Sequence, residues 1–235
     1  MRFRELARHP VWRVGYRPDP WSWPDWRWAG PSGRFNGRWD ALDPGLYRTL
    51  YAGDSLFSCL VEVLAPFRPD PELAGEMGLI VDDEPTMSRS SPSGTLDLAA
   101  WLSPRQASTA RLSGTYCRVT DSTSVAALYG RFSPRARLYG LPDFDASALK
   151  IAEPRLLTQE ISQHLWEAKN EDEGHLCDGV EFSSRHGDDL LLWAVYERPG
   201  DPEVSPYVVS PQQVALGRDH PELRRALALL GITAA

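Results

Sequence analysis

Four stretches of the chain carry polar or aromatic side chains that a plain scaffold has no need for, and each suggests a chemistry. In Gly33 to Asp40, GRFNGRWD, two arginines stand among glycines. Backbone can approach a ligand closely there, and a planar guanidinium can hold a phosphate through two parallel hydrogen bonds. Tyr51, in LYAGDS, closes a strand-like run and offers a ring. Glu62 lies two positions past Leu60 in a helical pattern, about 200° round the wheel, so its carboxylate leaves the apolar stripe and is either solvated or turned into a site. In GVEFSSRHG, residues 179–187, a strand pattern ends in two serines and an arginine. Each feature also has an ordinary use: Arg38 as a surface cation, Tyr51 as a core ring, Glu62 as a solvated helix residue, Ser184 as a turn residue.

The elements that would position these residues are legible from periodicity and punctuation. Val11 to Tyr16 and Arg48 to Gly53 read as strands. Asp54 or Ser55 can cap a helix in which Leu56, Cys59, Leu60, Val63 and Leu64 recur at i, i+3, i+4, i+7 and i+8, and Pro66 ends it. Leu112 to Val119 reads as a strand, Ser124 to Phe132 as a short helix, and Pro154 to Lys169 as a longer helix with Leu157, Ile161, Leu165 and Ala168 on one face. Gly179 to Ser183 and Leu190 to Tyr196 read as strands joined by the turn sequence SRHGDD. HPELRRALALLG is a helix with Pro221 at its start and Gly231 at its end. Residues 18–33, dense in Pro, Trp and Gly, predict an ordered surface loop pinned by its tryptophans, and residues 82–95 a polar loop. Strands mixed with short helices, without a regular βαβ rhythm, predict an α+β fold around a mixed or antiparallel sheet. One domain spanning 1–235 is expected.

Composition removes several function classes. The 235 residues have a net charge of −7, with Lys+Arg 25 against Asp+Glu 32. Residues 1–38 nevertheless hold eight arginines and three acids, a net +5 that leaves −12 on the remainder, and residues 1–39 hold six of the nine tryptophans. That end suggests a nucleic-acid-binding module, which the acidic remainder opposes. Three widely spaced cysteines argue against a disulfide framework and for a reducing, cytoplasmic setting. The longest apolar run, Leu190 to Tyr196, is too short for a membrane span. No dinucleotide-binding glycine fingerprint, P-loop, nucleophile elbow or zinc-helix motif is present. No metal is expected: His175 and Cys177 alone make a poor ligand pair.

Order and context give the four stretches more weight together than singly. GRWDALDPGLYRTLYAGDSLFSCLVEVLAPFRP, followed far downstream by CDGVEFSSRHGDDLLLWAVYE, resembles the RES-domain family of bacterial toxins over roughly residues 11–197. The resemblance implies an ADP-ribosyltransferase-like fold and NAD⁺ as substrate. Its nicotinamide–ribose bond would be broken by hydrolysis or phosphorolysis, with phosphate as a possible co-substrate and no resident cofactor. By motif, Glu62 falls on the catalytic glutamate. Arg38 falls on the arginine for the pyrophosphate or its ribose, Tyr51 on the ring that stacks on nicotinamide, and Ser184 on the serine that orients the carboxamide or ribose. Arg13, in VWRV, matches a further arginine less closely. Arg34 competes with Arg38, which is preferred because Trp39 and Asp40 follow it. Family members pair with an antitoxin carrying a helix-turn-helix domain, and some transfer ADP-ribose to a protein instead. The Pro/Trp-rich loop 18–33 and the extension 198–235 exceed the minimal domain and are candidates for gating, self-association or antitoxin contact.

Overall fold

A computed structural model describes residues 1–70, 94–151, 153 and 155–235. Pro154 and nearly all of the expected polar loop 82–95 lie outside the described residues. Among the described residues, eight strands and five α-helices follow the order β1 (Phe3–Tyr16), β2 (Thr49–Gly53), α1 (Leu56–Leu64), β3 (Thr95–Leu96), α2 (Leu98–Leu102), β4 (Arg105–Arg118), α3 (Ser122–Leu138), α4 (Leu156–Glu167), β5 (Gly179–Ser184), β6 (Gly187–Tyr196), β7 (Val208–Val214), α5 (Pro221–Leu230) and β8 (Thr233–Ala234). The fold is α+β.

The long strand β4 organises the main sheet. One edge pairs antiparallel with β1 from Phe3↔Cys117 to Tyr16↔Arg105, with a register shift between Leu6 and His9. The other edge is shared between β7, antiparallel, and β5, parallel over Tyr116↔Gly179 to Arg118↔Glu181. β5 forms a hairpin with β6, β6 pairs with β2, and β2 returns to β1 at Trp12↔Gly53. The pairings therefore run in a closed circuit, β1–β2–β6–β5–β4–β1. β3 and β8 form a separate parallel pair.

This curvature gives β6 a core on each side. Leu192, Ala194 and Tyr196 meet α3 and α4 through Phe132, Leu157, Ile161 and Leu165. Trp193 and Val195 face the other way, toward Leu50, Ala52, Leu112 and Tyr116. Successive strand side chains alternate between faces, so a strand covered on both sides reads as an unbroken apolar run, as Leu190 to Tyr196 does. A third core joins α1 to α5 through Leu56, Leu60, Leu64, Leu223, Leu227 and Leu230. Residues after 198 thus add β7 to the sheet edge and α5 to the back of α1.

Several boundaries move. β1 begins at Phe3 rather than Val11, because β4 supplies partners on both sides of the register shift and carries the strand through Pro10. β4 likewise begins at Arg105, before the expected Leu112. α3 runs to Leu138 through Pro134. The missing N–H costs one helical hydrogen bond, and the helix continues because Phe132 and Ala136 are both buried against the core. SRHGDD shrinks to the turn Arg185-His186, with GDD opening β6.

The Arg/Trp-rich end divides. Trp21 and Trp39 are fully buried and Trp23 nearly so. Trp21 Nε1–H donates to Ser108 Oγ (2.8 Å) and Trp23 Nε1–H to the Pro202 carbonyl (3.0 Å). Of the tryptophans in the loop 18–33 only Trp26 and Trp28 are exposed, so the buried rings cannot serve as a stacking platform for bases.

Candidate functional site

α1 is set by its ends and its stripe. Ser55 Oγ accepts from the Ser58 N–H (3.1 Å), and Leu56, Cys59, Leu60 and Leu64 are buried. Glu62, off that stripe, is only partly buried and faces a cleft of about 400 Å³. Volumes of that size are typical of small-ligand sites, which lie at roughly 300–1,000 Å³. Across from α1 stands the end of the β5–β6 hairpin. β1 contributes Arg13, β2 contributes Tyr51, and the 37–38 turn contributes Arg38.

Four of the five residues named from the sequence line this cleft: Arg13, Arg38, Tyr51 and Glu62. Ser184 sits behind Glu62. It is 1% exposed, and its hydroxyl donates to Glu62 Oε1 while accepting from the His186 backbone N–H (2.9 Å). Its contacts are therefore to the carboxylate and the hairpin turn, and it fixes the direction of Glu62.

Arg38 lies with its guanidinium carbon 5.5 Å from the Phe182 ring centre and makes one long hydrogen bond, to the Leu149 carbonyl (3.5 Å). No carboxylate lies within ion-pair distance of it among the described residues. Burial pulls its pKa down, and Glu62 opposes that pull. Arg13 donates to the carbonyls of Pro20 and Tyr51. Burial pushes its pKa down to about 10, so it remains a cation at neutral pH. Arg34 is directed elsewhere, donating to Gln159 Oε1.

Tyr51 is held by a network that the sequence did not disclose. Its hydroxyl donates to Asp40 Oδ1 (2.9 Å) and accepts from the Trp39 N–H (2.9 Å), while the Gly37 N–H donates to Asp40 Oδ2. Asp40 is 5% exposed, and burial raises its pKa against the pull of Gly37 and Tyr51. Burial and the neighbouring Asp40 carboxylate lift the Tyr51 phenol well above its ordinary value. Asp40 therefore ties the turn that carries Arg38 to the strand that carries Tyr51.

Asp40→Asn should be destabilised by about 1–3 kcal/mol in urea denaturation near neutral pH. Gly37 N–H and the Tyr51 hydroxyl both need acceptors, and an amide supplies one where the carboxylate supplies two. The pH dependence has a definite sign. A carboxyl whose folded pKa is raised contributes stability below its unfolded value of 3.8 and loses it as pH climbs through the folded value. The stability difference between wild type and variant should therefore narrow as pH rises through that window. Equal stability of the two proteins at every pH would contradict this account of Asp40.

Phe182, Arg155, Arg185 and His186 also reach the cleft and were not singled out as site residues. Arg155 stands at the start of α4 and donates to the Asn36 carbonyl. His186 lies two residues from Ser184, a spacing that creates no catalytic triad by itself, and the contact between them runs through the histidine's backbone. The tight hairpin turn is what places it in the same cleft as Glu62. Cys59 lines the cleft too, but burial pushes its thiol up to about 12, so it is no nucleophile at neutral pH. Among the described residues no cluster of three or more metal-ligating side chains occurs, and no helix is long and apolar enough to cross a membrane.

The arrangement can hold a polyanion on guanidinium groups, place an apolar ring against a flat ligand, and set one oriented carboxylate beside a centre that becomes positive. No protein-family model matches the sequence, and no curated protein matches it. A chain in the crystal structure of the M. tuberculosis MbcT-MbcA toxin-antitoxin complex aligns with 89% of this chain and 86% of that one, at 16% identity and a TM-score of 0.39. A likeness of that size carries no argument about site or activity.

Proposed function

We propose that this chain is a bacterial toxin of the RES type that depletes NAD⁺ by breaking its nicotinamide–ribose bond, with water or phosphate as acceptor. The observation that carries this proposal is the Glu62 carboxylate, oriented by Ser184 in a cleft shared with Arg13, Arg38 and Tyr51. As the bond lengthens, positive charge passes from the pyridinium ring to the ribose. A carboxylate already in place stabilises that charge without reorganising, as in glycoside chemistry. Nicotinamide leaves neutral with the electron pair of the broken bond, so its departure needs no acid. Arg38, free of ion pairs among the described residues, is suited to the pyrophosphate. An antitoxin carrying a helix-turn-helix domain and a cytoplasmic site of action belong to the same proposal.

The test is nicotinamide release from NAD⁺ by protein freed of any bound partner, with and without phosphate. ADP-ribose as product indicates hydrolysis, its 1″-phosphate phosphorolysis, and label retained on protein a transferase. No release in either buffer would overturn the proposal. Within it, Arg38→Ala should raise KM for NAD⁺ about tenfold to a hundredfold while changing kcat less, because a charge-assisted contact to the pyrophosphate serves ground state and transition state alike. Steady-state kinetics reads both constants, and an unchanged KM would remove Arg38 from the phosphate role.

A further inference from the structure

His186 lines the cleft but has no part in bond breaking as described above. It closes the two-residue turn between β5 and β6, is half-buried, and donates its backbone N–H to the same Ser184 hydroxyl that holds Glu62. Among the described residues neither of its ring nitrogens has a hydrogen-bond partner. The other groups able to take a proton in the cleft are committed. Glu62 is bonded to Ser184 and must stay negative while the ribose is cationic. Asp40 is buried beneath the Gly37 N–H and the Tyr51 hydroxyl. The Tyr51 phenol is spent on Asp40, and the Cys59 thiol points at the Trp12 carbonyl.

We infer that His186 is the general base for the acceptor, taking the proton that water must lose as its oxygen bonds to the ribose. The inference rests on the NAD⁺ reaction proposed above and specifies its second half. The C1″–N bond breaks with its electron pair going to nicotinamide, the water oxygen forms the new C1″–O bond, and the released proton goes to an imidazole nitrogen and then to solvent. No oxidant or further reactant is required. Charged groups face the ring from several sides: Glu62 on α1, Arg68 after α1, Arg38 in the turn before β2, and the adjacent Arg185. Burial lowers its pKa below the ordinary 6.5, the three arginines add to that, and Glu62 opposes them, so the ring is neutral and basic at neutral pH.

The test compares wild type with His186→Gln in water and in sodium azide, an anionic nucleophile with no proton to lose. Hydrolysis by the variant should fall at least about tenfold. That is below the 10²–10⁴ of many general-base steps because the oxocarbenium is itself reactive. Azide should restore nicotinamide release in the variant and yield the ribosyl azide, which a merely structural defect would not allow. In wild type, acidification through the histidine range should slow the water reaction while the azide reaction keeps its rate, a measurement independent of how the variant folds. Undiminished hydrolysis by the variant, a loss that azide does not rescue, or parallel pH profiles for the two nucleophiles would each overturn the role of His186. Absence of nicotinamide release by wild type would instead overturn the NAD⁺ reaction, and this inference with it.

Discussion

Replacing Glu62 by Gln is expected to leave the fold and its melting temperature in place and to lower nicotinamide release from NAD⁺ by about 10²–10³-fold. The amide matches the carboxylate in size, and its oxygen can still accept from Ser184 Oγ. Only the negative charge is lost, and that charge is what the proposed reaction needs when the ribose becomes cationic. The effect should fall mainly on kcat, because a neutral ribose in the ground state gains little from the carboxylate. Chromatographic quantification of nicotinamide, with thermal unfolding of both proteins, checks the two halves of the expectation. Turnover within a few-fold of wild type would mean that another group carries the acid's role.

The position of Glu62 was legible because α1 is short, capped and strongly patterned. α1 is nevertheless buried more widely than the stripe requires, through Phe57, Ser58 and Val61 as well as Leu56, Cys59, Leu60 and Leu64, and Val63, expected on the stripe, is only partly buried and lines the cleft with Glu62. β6 was legible for a related reason, since a strand with a core on each side shows an unbroken apolar run. What the sequence hid depends on partners distant along the chain. β1 looked like a six-residue strand because the pattern breaks near Pro10, and only the length of β4 beside it shows why pairing resumes toward Phe3. The helix expected over Ser124 to Phe132 ends before Pro134, whereas tertiary burial on both sides of that proline carries α3 on to Leu138. Ser184 looked like a ligand contact, whereas its depth behind Glu62 depends on how the hairpin meets α1 across 122 residues of sequence. His186 was obscured by the same turn. A lone histidine two residues after a serine carries no signal until the chain reversal places it in the same cleft as a carboxylate from another element. Asp40 could be read as the acid that closes the motif, but not as the acceptor that joins the Gly37 turn to Tyr51.

That junction gives the second large expectation: Gly37→Ala should lose about 100-fold in kcat/KM for NAD⁺ and about 1–3 kcal/mol of stability. A Cβ at Gly37 would overlap the Tyr51 hydroxyl and the Asp40 carboxylate, and neither can easily yield. The hydroxyl is fixed between Asp40 and the Trp39 N–H, and the carboxylate is buried with both oxygens engaged. The glycine's own carbonyl also accepts from Gln159 Nε2 (3.0 Å), so the turn is anchored to α4 from the other side. The strain must then move either Tyr51, whose ring borders the cleft, or the turn itself, which carries Arg38 one residue away. Displacements of about 1 Å at groups that orient a substrate cost about 10²-fold, so either route reaches the chemistry without touching Glu62. Gly217→Ala is the matching control. A Cβ there meets nothing within 4 Å, and the variant should retain wild-type kinetics and stability. If Gly37→Ala behaved like that control in kinetics and urea unfolding, the 37–40 turn could not be held by Asp40 and Tyr51 in the way that sets Arg38.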